Sequence, residues 1–255
     1  MSKNFELLEQ IGKHQEIFNS PGQSQTSFAE PIPAPAPTHS ASLAPSADKP
    51  GIEEVIALVQ RVFLVSGDGA ARRVVFAGSE PDSGCSWMCA RAAEALASRV
   101  SGTVCMVDAN LHTPTLHVQT GIANHHGLSD ALLDPSPVGG FITQLSSNLA
   151  IVSCGSAPKK AQGFLTSNRM LARLSELHSM FNYVLVDAPA MNGSREAVIL
   201  GGASDGVVLI LKANSSRRET ARGAVREFQT AKVRVLGAVL NQRKFPIPES
   251  IYNKL

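Results

Sequence analysis

The stretch that most limits what this chain can fold into is Arg73 to Ser86, RVVFAGSEPDSGCS. It opens as an apolar strand, Val74–Ala77, breaks at Gly78, Pro81 and Gly84, and leads into MCARAAEALASRV, a helix expected to start near Ser86. Strand, glycine-bearing loop and helix in that order make an anion cradle. Loop N–H groups and the positive end of the helix dipole converge on one point. Such a loop ordinarily ends Gly-Lys-Ser/Thr. This one ends Gly84-Cys85-Ser86, so the glycine and the hydroxyl are kept and the lysine is absent.

The chain around it alternates apolar strands with amphipathic helices. Strands are expected at Thr103–Val107 (ending on Asp108), around Leu149–Val152, in YVLVDAPA, in DGVVLILKA and in VRVLGAVLN. Helices are expected in IEEVIALVQRVFLV, with Ile52, Ile56, Val59 and Phe63 on one face, in RMLARLSELHSMF and in RRETARGAVREFQTA. Near-continuous apolar strands separated by helices indicate a mostly parallel sheet covered on both faces, a doubly wound α/β fold of the P-loop NTPase kind. Residues 51–255 supply that domain. Ahead of it, residues 1–18 read as a short amphipathic helix and residues 19–50, with PIPAPAP at their centre, as a disordered Pro/Ser/Ala-rich linker.

Composition narrows the function. A net charge of +2 gives no general nucleic-acid-binding surface. No run of about 18 apolar residues exists to span a bilayer, and MSKNFELLEQ lacks a signal-peptide core. Four cysteines without a paired framework suit a reducing cytosol. A cytoplasmic chain follows, reaching a membrane only through a partner.

Ligands of open parallel sheets bind off the carboxyl ends of the strands. Three such ends are polar here: the Gly78–Ser86 loop, the Asp108-Asn110-His112 run, and Asp187-Pro189. Aspartates ending buried strands beside a phosphate loop are suited to hold magnesium, although Asp also caps helices. Cys85, at a helix N-terminus, is expected to have a lowered pKa and could be a reactive thiol, or it simply fills the lysine's place. Cys85 and Cys89 stand one turn apart but lack two further ligands at a metal-binding spacing. Trp87 could stack on a nucleotide or pack within its helix, and His125-His126 reads as a solvated turn.

In order, SEPDSGCS, CMVDANLHTPTLH, GLSDALL, YVLVDAPA and GAVLN resemble the bacterial tyrosine kinases of capsule and exopolysaccharide synthesis. These belong to the partitioning-type P-loop ATPases. The resemblance runs from about Ile52 onward and is most specific in VDANLHTPTLH; NFELL near the start is more loosely similar to the exopolysaccharide branch. It implies nucleotide contacts at Gly84, Cys85, Ser86 and Trp87, a magnesium site of Ser86, Asp108 and Asp187, and an adenine contact at Asn241. It also implies catalytic positions at Asp108 and Asn110 and ATP or ADP with magnesium as cofactors. The partner implied is the cytoplasmic part of a membrane polysaccharide co-polymerase, with homo-oligomers as a further option and no nucleic acid. Tyr252 is a candidate phosphorylation site.

The departures from the family pattern carry as much information. Cys85 replaces the loop lysine, Asp82 adds an acid where phosphates would lie, Asn110 replaces the second aspartate, and His112 replaces the arginine after it. The interface helix keeps only Glu54, followed by Ala57 and Gln60, and the terminal tyrosine cluster shrinks to Tyr252. Loss of one charge-assisted contact costs about 1.5–3 kcal/mol of binding, and loss of one transition-state donor about 100- to 1,000-fold in rate. A catalytically impaired adaptor is therefore the first expectation, and an active tyrosine autokinase the second. A partitioning-type switch is the third, which the missing lysine argues against. Lys159, Lys160 or another chain's arginine could stand in for the lost charge.

Overall fold

The computed structural model describes residues 49–64, 70–191 and 195–242. The expected N-terminal helix, nearly all of the linker, and Tyr252 lie outside the described residues.

The strands are β1 Arg73–Gly78, β2 Val104–Asp108, β3 Thr143–Gln144, β4 Leu149–Val152, β5 Tyr183–Ala188, β6 Gly206–Lys212 and β7 Val235–Asn241. The helices are α1 Lys49–Phe63, α2 Cys85–Ala97, α3 Leu116–Thr120, α4 Leu128–Leu133, α5 Pro158–Ala161, α6 Asn168–Met180, α7 Glu196–Gly202 and α8 Arg218–Thr230. Among the described residues the strands form one sheet in the order β3-β4-β2-β5-β1-β6-β7. Every pairing is parallel except β3 with β4. The two-residue β3 carries no apolar run and was not foreseen; its pairing to β4 comes from the chain doubling back at Ser146–Asn148.

Strand parity explains the apolar runs. Val74, Phe76, Val104, Met106, Leu185, Val208 and Ile210 enter the core shared with α1 and α2. Their neighbours Val75, Ala77, Cys105, Val107, Val186, Val207 and Leu209 enter the core shared with α4, α6, α7 and α8. Every residue of such a strand is buried because each face has its own cover. The same parity puts Asp108 and Asp187 on the α2 side, and the β2–β5 register sets them directly opposite each other.

Helix α1 corrects one expectation. Its buried face is Val55, Leu58, Val59, Val62 and Phe63, whereas Ile52 is 41% exposed and Ile56 only half-buried. The helix is apolar at so many positions that periodicity admits two overlapping faces. Packing on α2, with Phe63 edge-on to Tyr183 at 6.2 Å, selects one. Among the described residues no helix is long and apolar enough to cross a membrane.

Candidate active site

The loop after β1 is bound down on several sides. Gly84 caps α2 with φ 78°, and Asp82 also holds a positive φ of 58°. A side chain at Gly84 would meet both this strained backbone and the Asn241 amide, which lies against its Cα. Asn241 Nδ2 donates to the Ser83 carbonyl at 2.9 Å and Gln242 Nε2 to the Asp82 carbonyl at 3.2 Å. On the other flank Ser216 Oγ donates to Glu80 and accepts from the Lys212 N–H at 2.9 Å. The loop therefore keeps its shape through β6 and β7, which follow it by more than a hundred residues.

A cleft of about 420 Å³ opens above the loop. Its walls are the loop itself, Ser86 and Trp87 of α2, the Asn110–Thr115 segment after β2, Gln119, and Ala188–Ala190 after β5. Glu80 and Asp82 line it, and no described Lys or Arg does. Lys159 and Lys160 are exposed on α5 and do not line it. Asn241 is not a wall residue either; its amide is spent on the loop. Trp87 packs against the α1–α2 core, as one expectation has it, and also lines the cleft.

Beneath the loop lie the two aspartates. Both are fully buried. Asp108 Oδ1 accepts from the Asn110 N–H at 3.2 Å and Oδ2 from the Leu116 N–H at 3.1 Å, so it also ties down the start of α3. Asp187 is different. Neither of its oxygens has a hydrogen-bond partner of proper geometry, although the Ser86 hydroxyl and Cys85 thiol lie close enough to favour its charged form. Burial pushes Asp187 up to about 6. Burial, and then the Asp187 charge, hold Asp108 well above the usual carboxylate range.

A buried carboxylate with both oxygens free, beside a hydroxyl at a helix N-terminus, fits a divalent cation held mainly through water and a bound phosphate. Ser86 and Asp187 are the residues that would hold it, with Asp108 behind them. Among the described residues no three His, Cys, Asp or Glu side chains converge as a metal centre, so phosphate oxygens and water would have to complete the shell.

Cys85 overturns the reactive-thiol expectation. Cys85 is only partly buried and lines the cleft, yet desolvation of its sulfur, reinforced by the Asp187 charge and by Cys89, raises its thiol well above the ordinary range, outweighing a backbone donor from Gly78. The neutral thiol sits where a cation would stand. Asn110 is closed on Thr113, accepting from its N–H and donating to its hydroxyl at 3.2 Å each; an amide there cannot take a proton. His112 lines the cleft and pairs with Glu196 at 2.8 Å. His125 and His126 are exposed, as the solvated-turn reading has it. The Glu80–Ser216, His112–Glu196 and Asn241–Ser83 contacts have no local sequence signal, since each joins segments that only the sheet brings together.

No family model matches the chain. It is 27% identical over 184 residues to the tyrosine-protein kinase YwqD of Bacillus subtilis (strain 168), covering 72% of this chain and 77% of that one. It is 22% identical over 191 residues to the tyrosine-protein kinase etk of Escherichia coli (strain K12), covering 74% of this chain but 26% of that longer one. The chimerical protein CapA2B2 superposes with a TM-score of 0.71 at 22% identity, over 81% of this chain and 91% of that chain. The kinase domain of the Escherichia coli tyrosine kinase ETK gives 0.67 at 21%, over 79% and 82%. A ParA family ATPase from Chlorobium tepidum gives 0.55 at 20%, over 68% and 75%. The structural likenesses establish the fold. The chain is thus similar in sequence to bacterial tyrosine kinases and shares a P-loop NTPase fold with the ETK kinase domain and a ParA family ATPase, while its loop ends Gly84-Cys85-Ser86.

Proposed function

We propose that this chain is a catalytically impaired relative of the exopolysaccharide tyrosine autokinases. In this reading it acts as a cytoplasmic adaptor or regulator of polysaccharide assembly and export, docked on the cytoplasmic part of a membrane co-polymerase. The observation that carries it is the charge of the cleft: two carboxylates and no described Lys or Arg, with a neutral Cys85 thiol in the lysine's place. A triphosphate entering this cleft meets repulsion where the family supplies attraction. Asn110 adds a second loss, since it cannot serve as a base toward a tyrosine hydroxyl. The partner rests on the resemblance to those kinases alone.

The test is twofold. Incubation of the purified chain with labelled ATP and magnesium should yield no phosphotyrosine, and a co-polymerase bait should capture the chain without nucleotide. Phosphotyrosine on the chain, or failure of capture, defeats the reading.

One observation favours a second reading, an active ATP-dependent tyrosine autokinase. Asp187 keeps two unpartnered oxygens beside Ser86, a seat that suits magnesium. Magnesium bound there would neutralise phosphate charge, while Ser86 and the α2 N–H groups would orient the phosphates. Phosphorylation of Tyr252 that disappears in Asp187→Ala would establish this reading.

A further inference from the structure

Helix α8 and its flanks carry an unusual charge, and none of residues 217–234 lines the cleft, although Ser216 just before them bonds Glu80 of its wall. Between Arg217 and Arg234 stand six bases, Arg217, Arg218, Arg222, Arg226, Lys232 and Arg234, against two acids, Glu219 and Glu227. This short stretch is +4 in a chain whose total is +2, so all other residues together sum to −2. Each of the six bases is exposed. Among the described residues none of them forms an ion pair; the pairs present are Arg91–Glu94, His112–Glu196 and Arg173–Glu176.

The geometry turns these charges into one line. Arg218, Arg222 and Arg226 recur every fourth residue, so they stack along one side of the helix over about 12 Å. Lys232 and Arg234 continue the basic run past its C-terminal end. The side next to this row is anchored: Ala224 and Phe228 are buried and Val225 is half-buried in the core beneath. The helix therefore cannot turn over to insert an apolar face and offers only charged and polar side chains outward. It covers the sheet face opposite α1 and α2, so a contact here leaves α1 free.

We propose that this face adsorbs electrostatically onto an anionic lipid surface. Basic residues near an anionic leaflet each add attraction that fades within a Debye length. A single helix bearing one row of arginines suits a flat sheet of headgroups. The exposed side of α8 has no aromatic residue on which bases could stack, which disfavours single-stranded nucleic acid. The inference rests on the proposed membrane setting, yet it is tested on bare vesicles, so failure of the co-polymerase reading would not affect the result.

The experiment is co-sedimentation of the full chain with two vesicle types, pure phosphatidylcholine and phosphatidylcholine with about 30% phosphatidylglycerol. Binding to the anionic vesicles alone, weakening as salt rises, is expected. The variant Arg218→Gln/Arg222→Gln/Arg226→Gln should bind about tenfold or more weakly. The variant Glu219→Gln/Glu227→Gln should bind more tightly, which keeps the test decisive if the triple variant folds poorly. No binding, equal binding to both vesicles, or unchanged binding by both variants would overturn the proposal. Preference for duplex DNA over anionic vesicles at equal phosphate would do the same, assigning the surface to nucleic acid instead.

Discussion

Replacing Asp187 with asparagine tests the buried-carboxylate argument directly. The Asp187 carboxyl titrates at about 6 in the folded protein, against 3.8 for a free side chain. The folded state thus holds this proton more tightly than the unfolded chain does. The stability it lends is fully present below pH 3.8 and is lost as the pH rises through about 6, leaving a cost at neutral pH. At 1.36 kcal/mol per pKa unit the difference amounts to about 3 kcal/mol. The amide is nearly the same shape and carries no charge to desolvate, but it still buries polar atoms whose partners are not assured. A gain of about 1–2 kcal/mol at pH 7.5 is therefore expected, or roughly 2–8 °C in Tm for a domain of this size. The gain should shrink toward zero near pH 4, where both side chains are neutral. Thermal melts of both proteins across pH, with and without magnesium and ADP, provide the assay. Magnesium with ADP should raise the Tm of the natural protein and leave Asp187→Asn unmoved. An Asp187→Asn protein that melts at or below the natural one at pH 7.5 would refute the reasoning, because it would mean that the carboxylate is already compensated.

Three further substitutions probe other parts of the argument. Cys85→Lys restores a cation at the head of α2 beside Asp187 and should tighten a fluorescent ATP analogue about 10- to 100-fold, consistent with one charge-assisted contact; unchanged affinity would show that Asp82 or Trp87 closes the cleft. In the natural protein the raised Cys85 thiol should react slowly with a thiol reagent at pH 8, and fast stoichiometric labelling at Cys85, read by mass spectrometry, would contradict its neutral state. Arg173→Leu should cost about 3 kcal/mol, seen as a lower denaturation midpoint, because Arg173 is buried and donates to the Ala131 and Asp134 carbonyls and to Glu176. Asn241→Ala removes the clamp on the Ser83 carbonyl and should speed amide exchange in the loop while costing about 1 kcal/mol of stability.

The strand, loop and helix order was legible because it is local. Apolar runs, a glycine-bearing turn and an alanine-rich helix each follow from residues a few positions apart, and together they imply a parallel sheet with its site at the strand ends. Asp108 and Asp187 were legible as buried strand-end residues for the same reason: each ends an apolar run, and parity then sets both on the α2 side. What those carboxylates experience was not legible. That Asp108 is engaged by the Asn110 and Leu116 N–H groups while Asp187 has no well-placed partner depends on how α2 and α3 pack over two adjacent strands. Cys85 shows the limit most clearly. Its position at a helix start argues for a thiolate, but partial desolvation beside the Asp187 carboxylate argues against one more strongly, and both are properties of the packed molecule. The face of α1, the short β3 and the Asn241 clamp belong to the same class. The sequence alone determined which elements form and which side chains reach the strand ends. Tertiary structure alone decided solvent exclusion and polar pairing, and with them the charge that each of those side chains carries.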